Sequence, residues 1–287
     1  VLIGFAGIGR MGLPMALRLV RAGHTVLAHD PGLGSVPASI TAVASAAGLA
    51  ETELSISMLP DGVATRELVL TGLADAGRDH LHVVMGTVGP ALVKELARTG
   101  PVDVIDAPVS GSVSMAEAAT ITTMVGGTEE QFERVRPVLA AMTSAQFHTG
   151  PAGSGSAAKL AINAVLATLS QGVAEGLLIA EAGELDLKVF YDVLRGSAAG
   201  APYVGYKEDA FLAPASAGVA APISLIRKDL GLALELAAGL DLPGAEAAYA
   251  VLDKAVATGR GDEDMAQVLA ILRDRTGRPV TKEEALS

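Results

Sequence analysis

The chain has 287 residues, 21 Lys plus Arg against 32 Asp plus Glu, a net charge of −11, and neither Cys nor Trp. At roughly 100–200 residues per domain this length predicts two domains, and a composition 50% hydrophobic and 18% charged supplies a substantial core. An acidic surface repels phosphate backbones, so no nucleic-acid partner is expected. The absent cysteines exclude disulfides, thiolate metal sites and a cysteine nucleophile.

No stretch reads as apolar over the roughly 18 residues of a membrane span, because 157–182 is interrupted by Lys159, Asn163, Gln171, Glu175 and Glu181. The apolar N-terminus lacks a basic leader and runs into glycines, unlike a signal peptide. The start at Val1 implies a few missing leading residues. A cytoplasmic protein without a membrane partner is expected.

Residues 1–6 read as a buried strand, 11–22 as a helix stopped at Gly23, and 24–30 as the next strand. An Ala-rich stretch to Ala50 reads as helical. Short apolar runs recur at 54–59, 81–85 and 102–106 with helix-like segments between them. Strands alternating with helices imply a parallel, doubly wound sheet. Two more strand candidates, 121–125 and 145–147, flank an amphipathic segment at 129–142 and carry the sheet to about residue 150.

The pattern then changes to one long Pro-free helical run over 154–184. Further helical segments follow at 187–195, 224–238, 245–257 and 264–273, punctuated by Pro202, Pro214, Pro222 and Pro243. The expected fold is α/β: an N-terminal Rossmann-type, doubly wound sheet domain over 1–153, then an all-α domain over 154–287. The polar tail beyond Thr276 is expected to be loose. No internal repeat is visible.

Gly7, Gly9 and Gly12 form G-x-G-x-x-G between the first strand and the first helix. The first glycine allows the tight turn, the second lets a pyrophosphate approach the backbone, and the third lets helix pack on strand. Ile8, Arg10 and Met11 complete this candidate cofactor loop, whose helix-terminal amides face the anion. Asp30 ends the second strand, 21 residues after Gly9, where a carboxylate suits ribose hydroxyls. It would repel a 2′-phosphate, and the next basic residue is Arg66, so NAD is favoured with NADP possible.

A second cluster, Asp106-Ala107-Pro108-Val109-Ser110-Gly111-Ser112, follows the strand at 102–106; its small hydroxyls and free amides suit a carboxylate, though it also reads as an ordinary Pro-Ser-Gly turn. A third is Lys159 with Asn163, on one face of the long helix near its start. A solvent-facing pair is the plain account; a lysine partly removed from water there is also suited to proton transfer. The histidines, His24, His29, His80, His82 and His148, read as surface or edge residues, and no metal site is expected.

In this order and spacing the residues resemble the β-hydroxyacid dehydrogenases, the family of 3-hydroxyisobutyrate and tartronate semialdehyde reductase-type enzymes, over nearly the whole chain. Gly4-Phe5-Ala6-Gly7-Ile8-Gly9-Arg10-Met11-Gly12 with Pro14-Met15-Ala16 is similar to the family's nucleotide signature. Met58-Leu59-Pro60 resembles its loop beneath the cofactor, and Thr87-Val88-Gly89-Pro90 its element near the nicotinamide ribose. Asp106–Gly111 resembles its substrate signature, and Thr122, Met124 and Gly126-Gly127 the strand and turn after it. Gly153-x-Gly155 with Lys159 and Asn163 resembles its catalytic motif, and Lys228-Asp229 a late Lys-Asp pair.

The resemblance implies an NAD(P)-dependent oxidoreductase that interconverts a small 3-hydroxy acid and its semialdehyde. It makes Lys159 the general acid/base and Asn163 the group orienting the reacting oxygen. Ser110 and Gly111 would hold the substrate carboxylate, with Ser112 beside them. Leu59, Pro60 and Thr87 would line the cofactor, and Lys228 would lie near its nicotinamide end. A homodimer or homotetramer packed through the helical half is implied as well.

Departures from the family pattern are Ser112 for a second glycine, where it adds a side chain as substrate approaches, Gly86 for a serine, Ile162 for an asparagine and Ala119 for a glycine. The aromatics often found before the Lys-Asp pair are absent, the last being Phe211. Two other readings compete. An imine reductase shares the architecture but generally replaces the lysine and loses the Pro-Val-Ser-Gly signature, both kept here. A non-catalytic cofactor-binding homologue would usually lose the lysine too.

Overall fold

The computed structural model describes residues 1–32 and 35–276. The expected loose tail lies outside the described residues. The chain divides into two compact units, Val1–Leu160 and one beginning at Ala161.

The first unit begins with β1 (Leu2–Ala6), α1 (Gly12–Arg21), β2 (Thr25–His29), β3 (Thr41–Ala42) and β4 (Leu54–Ser57). It continues with α2 (Gly62–Glu67), β5 (Leu81–Val84), α3 (Pro90–Thr99), β6 (Asp103–Asp106), β7 (Val109–Ser110) and α4 (Val113–Ala118). It closes with β8 (Ile121–Gly126), α5 (Glu129–Ala140), β9 (Thr143–Gly150) and the start of α6 (Ser154–Ala182). The described residues form a nine-stranded sheet in the order β3-β2-β1-β4-β5-β6-β8-β7, with β9 added against β8. The first six strands are mutually parallel; this is the 3-2-1-4-5-6 order of a doubly wound dinucleotide fold. β8 runs antiparallel to β6 and to β7, which pair with it in one continuous line broken only by Ala107-Pro108.

Strands covered on both faces need apolar side chains at nearly every position, and β4, β5 and most of β1 are buried throughout. Alternation sends Ile3, Phe5, Ile56 and Val83 into one core, and Ala6 and Val84 into another with Val69, Leu73, Val93 and Leu96. Full burial of a residue such as Phe5 contributes about 2–3 kcal/mol.

The Ala-rich stretch expected to be helical is instead the short β3 and one 3₁₀ turn, Ala46–Glu51. Pro37 and Gly48 interrupt the stretch, and Thr41-Ala42 pairs with β2 as an edge strand instead. The histidine expectation fails for His80 and His82, 4% and 0% exposed. His82 lies on β5 and His80 just before it; Ser55 and Ser57 of β4 bond the two ring nitrogens of His82, and Ser55 also bonds His80 Nε2.

The second unit holds the rest of α6, then α7 (Leu187–Gly196), α8 (Pro202–Tyr206), α9 (Glu208–Leu212), α10 (Ile223–Leu236), α11 (Pro243–Ala257) and α12 (Val268–Thr276). Ala167, Val173, Leu177, Tyr191, Ile223, Leu230, Val251 and Leu269 belong to its core. Within it Lys207 Nζ lies 2.6 Å from both oxygens of Asp264. Burial alone would raise the Asp264 carboxyl, but Lys207 and the amides of Ala266 and Ala221 outweigh it and hold the group below the usual carboxylate range.

One sequence expectation about α6 changes. By length and composition it would suffice to cross a membrane, because Lys159 and Glu175 are far enough apart to leave a long apolar window. Its first turn, however, is bonded to the sheet, and Ala167, Val173, Ala174 and Leu177 face the helical core, as in a core helix. The compact units divide after Leu160, within α6, because its first turns pack with the sheet.

Candidate active site

The glycine loop sits at the carboxyl end of β1, between the ends of β2 and β4, where the strand order reverses. That switch point is where doubly wound folds bind ligands. Gly7 has φ +85° and donates its amide to His29 O at 3.0 Å. A Cβ there would overlap Met58 O, and one at Gly12 would overlap Gly7 O, so both glycines are required by close backbone approach. At Gly9, by contrast, a Cβ would meet nothing within 4 Å. The loop is therefore tight at both ends and open in the middle, which fits a pyrophosphate on the N-terminus of α1. That helix has no side-chain cap and no acidic residue in its first turn.

Asp30 Oδ2 accepts from the Ile8 amide at 2.8 Å and Oδ1 from the Gly32 amide at 2.8 Å. The carboxylate thus braces the glycine loop as well as standing at the end of β2, with lone pairs remaining for hydroxyl donors. Arg10 is exposed and Met11 half-buried on the same turn.

The next two strand ends carry the half-buried Leu59 and Thr87 and the exposed Pro60. A Cβ at Gly86 would lie 2.5 Å from Leu59 O; glycine here lets the loops after β4 and β5 close on one another. Beneath them runs a buried chain of hydrogen bonds. His80 Nδ1 donates to Thr52 O at 2.8 Å, and Ser55 Oγ lies 2.7 Å from both His80 Nε2 and His82 Nδ1. Ser57 Oγ closes it at 3.0 Å from His82 Nε2. Burial lowers both imidazole pKa values, that of His82 to about 3.

After β6 the chain passes Ser110, half-buried on β7, and the exposed Gly111. Ser112 does not simply project a new group at approaching substrate: its Oγ accepts from the Met115 amide at 3.3 Å and lies 2.8 Å from Ser114 Oγ. It is the N-cap of α4, a preferred position for serine. Ala119, at the other end of that helix, has φ +57°, which is why a glycine suits this position in the family pattern. Lys159 is half-buried on the second turn of α6, on the same unit as these loops.

Asn163, one turn further along α6 and part of the helical unit, is 2% exposed. Its Nδ2 donates to Asp229 Oδ2 at 2.6 Å, while its buried Oδ1 has no partner among the described residues. Lys228 Nζ lies 3.0 Å from Asp229 Oδ1. Phe211, the last aromatic before this pair, is in the core beside Tyr191. Among the described residues no cluster of His, Asp or Glu could hold a metal ion.

Sequence reasoning missed two partners. Asp106 was read with the substrate cluster, but it is wholly buried and accepts from backbone amides at the start of α6. Asp229 was noted as half of a Lys-Asp pair, and its bond to Asn163 joins positions 66 residues apart. The His–Ser chain left a usable signal, since serines and histidines at i, i+2 on neighbouring strands face the same way.

The family model for the NAD-binding domain of 6-phosphogluconate dehydrogenase matches residues 2–150, and that for the NAD-binding region of NADP-dependent 3-hydroxyisobutyrate dehydrogenase matches 153–272. The chain is 36% identical over 255 residues to an NAD-dependent L-serine dehydrogenase of Pseudomonas aeruginosa, covering 82% of this chain and 85% of that protein. It is 34% identical over 290 residues to a probable 3-hydroxyisobutyrate dehydrogenase of Mycobacterium tuberculosis, covering 95% and 98%. Among solved structures, Mycobacterium tuberculosis 3-hydroxyisobutyrate dehydrogenase with L-serine superposes with a TM-score of 0.82 at 32% identity, covering 95% of this chain and 99% of that one.

Proposed function

Because the chain belongs to the β-hydroxyacid dehydrogenase family of 3-hydroxyisobutyrate dehydrogenase and carries its NAD(P)-binding domains, we propose that it oxidises a small 3-hydroxy acid to its semialdehyde, reversibly, with NAD. The observation that carries this reading is convergence. The glycine loop, Leu59-Pro60, Thr87 and Ser110-Gly111 all follow the carboxyl ends of neighbouring strands, and the helix bearing Lys159 starts against the last of them.

The nicotinamide cofactor, when bound, accepts or returns the hydride. The protein's own work is binding and proton transfer. Gly7, Gly9 and Gly12 with the amides around Ile8, Arg10 and Met11 hold the pyrophosphate, and Asp30 receives the adenosine ribose. Ser110 and the Gly111 amide hold the substrate carboxylate. Lys159 Nζ takes the hydroxyl proton during oxidation and returns it to the carbonyl oxygen during reduction. The role of Asn163 in orienting that oxygen rests on the family resemblance; the bond from Nδ2 to Asp229 fixes its amide. Lys228 serves the nicotinamide end of the cofactor.

The relatives named above act on L-serine and on 3-hydroxyisobutyrate, and these head the panel for a spectrophotometric screen with NAD. Replacing Lys159 by Met is expected to lower turnover by roughly 10²–10⁴-fold while NADH binding stays within about twofold. Near-full activity in that variant rejects the lysine's role. Silence of the unaltered protein across a broad hydroxy-acid panel, with cofactor still bound, rejects the enzymatic reading.

A further inference from the structure

Asp106 opens the segment read as a substrate signature, yet no part of its side chain reaches solvent, being 0% exposed. Oδ1 accepts from the Gly153 amide at 2.7 Å and Oδ2 from the Ser156 amide at 2.5 Å. Ala157 N bonds Gly153 O at 3.0 Å, so Gly153 is the residue before the first turn of α6 and Ser156 the third within it. Both donors are among the amides that a helix leaves unsatisfied at its start. They are met by one carboxylate supplied from the end of β6, 47 and 50 residues earlier in the chain.

The seat is shaped for this. A Cβ at Gly126 would overlap Asp106 Oδ1, and a Cβ at Gly155 would overlap Met124 O. The residues between Asp106 and Ser110 are fixed as well. Ala107 N bonds Val84 O at 2.8 Å, and Thr123 Oγ1 donates to Ala107 O and Pro108 O at 2.8 and 3.0 Å. One pinned segment thus grips the lysine's helix at its first residue and presents Ser110-Gly111 at its other end. Lys159 lies three residues beyond Ser156, about 4.5 Å along the axis.

We propose that Asp106 is a positioning residue for Lys159: it fixes the first turns of α6 against the strand end that bears Ser110, and so sets where the proton-transfer group stands relative to the substrate seat. This rests on the reading of Lys159 given above. Displacements near 1 Å of a reacting group cost roughly a hundredfold in rate. Loss of the grip should therefore appear in kcat and leave cofactor binding, assigned to the ends of β1, β2, β4 and β5, nearly alone.

The test is Asp106→Asn, which keeps the shape but turns an amide N–H toward one of the two donors. Turnover of L-serine and 3-hydroxyisobutyrate, NADH affinity and Lys159 reactivity are compared with the unaltered protein. Reactivity is read as the labelling rate by a lysine-directed succinimidyl ester, mapped by mass spectrometry, with exposed Lys254 as internal reference. Expected are a kcat lowered about tenfold or more on either substrate that is turned over, NADH Kd within about twofold, and a Lys159 labelling rate changed about threefold or more with Lys254 unchanged. Lys159 labelling within about twofold of the unaltered protein overturns the proposal, as does a cofactor affinity that falls as steeply as kcat. If Asp106→Asn does not fold, Gly153→Ala perturbs the same joint, where φ is +90°, and must shift Lys159 labelling likewise or the proposal fails. Full activity of Lys159→Met would instead sink the lysine reading, an outcome separate from any result at Asp106.

Discussion

Titration of His82 offers a prediction whose size follows from the structure. The ring is fully buried, its two nitrogens are taken by Ser55 and Ser57, and burial with neighbouring His80 lowers its pKa from 6.5 to about 3. His80 shifts the same way through burial, against its bond to Thr52 O, with Arg134 of α5 adding to the lowering. The folded pKa lies below the unfolded one, so the unfolded chain takes up a proton that the folded chain refuses. The stabilising contribution is complete above pH 6.5 and drains as pH falls toward 3. Between about pH 7.5 and about pH 5, His82 alone should remove about 2 kcal/mol. The assay is hydrogen exchange at the paired Ile56 and Val83 amides, corrected for intrinsic rates, in the unaltered protein and in His82→Asn. The unaltered protein should lose about 2 kcal/mol more opening free energy over that range than the variant. Equal slopes would refute the assignment of a buried, neutral imidazole.

Three further outcomes follow from particular contacts. Asp30→Ala removes the acceptor of the Ile8 and Gly32 amides, so calorimetry should find NAD binding weakened about tenfold without a gain in NADP affinity that matches the loss; a clean switch to NADP would show that the carboxylate does not brace the loop. Ala119→Gly relieves a left-handed alanine and should stabilise by about 1 kcal/mol, seen as a higher Tm; an unchanged or lower Tm refutes the strain. Ile179 and Val189 are 73% and 61% exposed, so charged residues at both should convert the homodimer or homotetramer we propose into a monomer by light scattering; unchanged mass would place the interface elsewhere.

Much of the sheet unit was legible because its physics is local. Apolar runs bounded by Gly and Asp predict β1, β2, β4, β5 and β6 to within a residue or two. The Gly7–Gly12 loop carries its own reason in backbone approach, and the switch to a long Pro-free helix at 154 is plain in composition. The rest depends on partners far apart in the chain. Asp106 read as part of a ligand turn because nothing nearby says that its oxygens belong to amides at 153 and 156. The two-residue β7 exists only because β8 offers an edge to pair with. Ser112 looked like an intrusion on substrate until the helix it caps was visible. Roles for Lys159 and Asn163 came from resemblance; the structure adds that Asn163 is buried with a partnerless oxygen, which spacing alone does not reveal.

The chain carries a charge of −11, yet the ligands proposed for it are anions, so their attraction must be local. The helices of the sheet unit show how that locality is arranged. α2 is capped by Asp61, α4 by Ser112 and α5 by Thr128, while at the start of α6 the Gly153 and Ser156 amides are spent on Asp106. α1 and α3 have no side-chain cap and no acidic residue in the first turn. α1 follows β1, the strand end proposed for the pyrophosphate, whereas α3 begins at Pro90, which has no N–H, behind the buried Val88 and Gly89. Uncapped amides aimed at an open loop favour an anion whatever the distant field, since surface charges beyond a Debye length of about 8 Å are screened. Two amides of the α6 terminus are already taken by Asp106, so this end offers an anion little. This agrees with the proposal that Ser110 and the Gly111 amide, rather than that helix end, hold the substrate carboxylate and that Lys159 handles the proton.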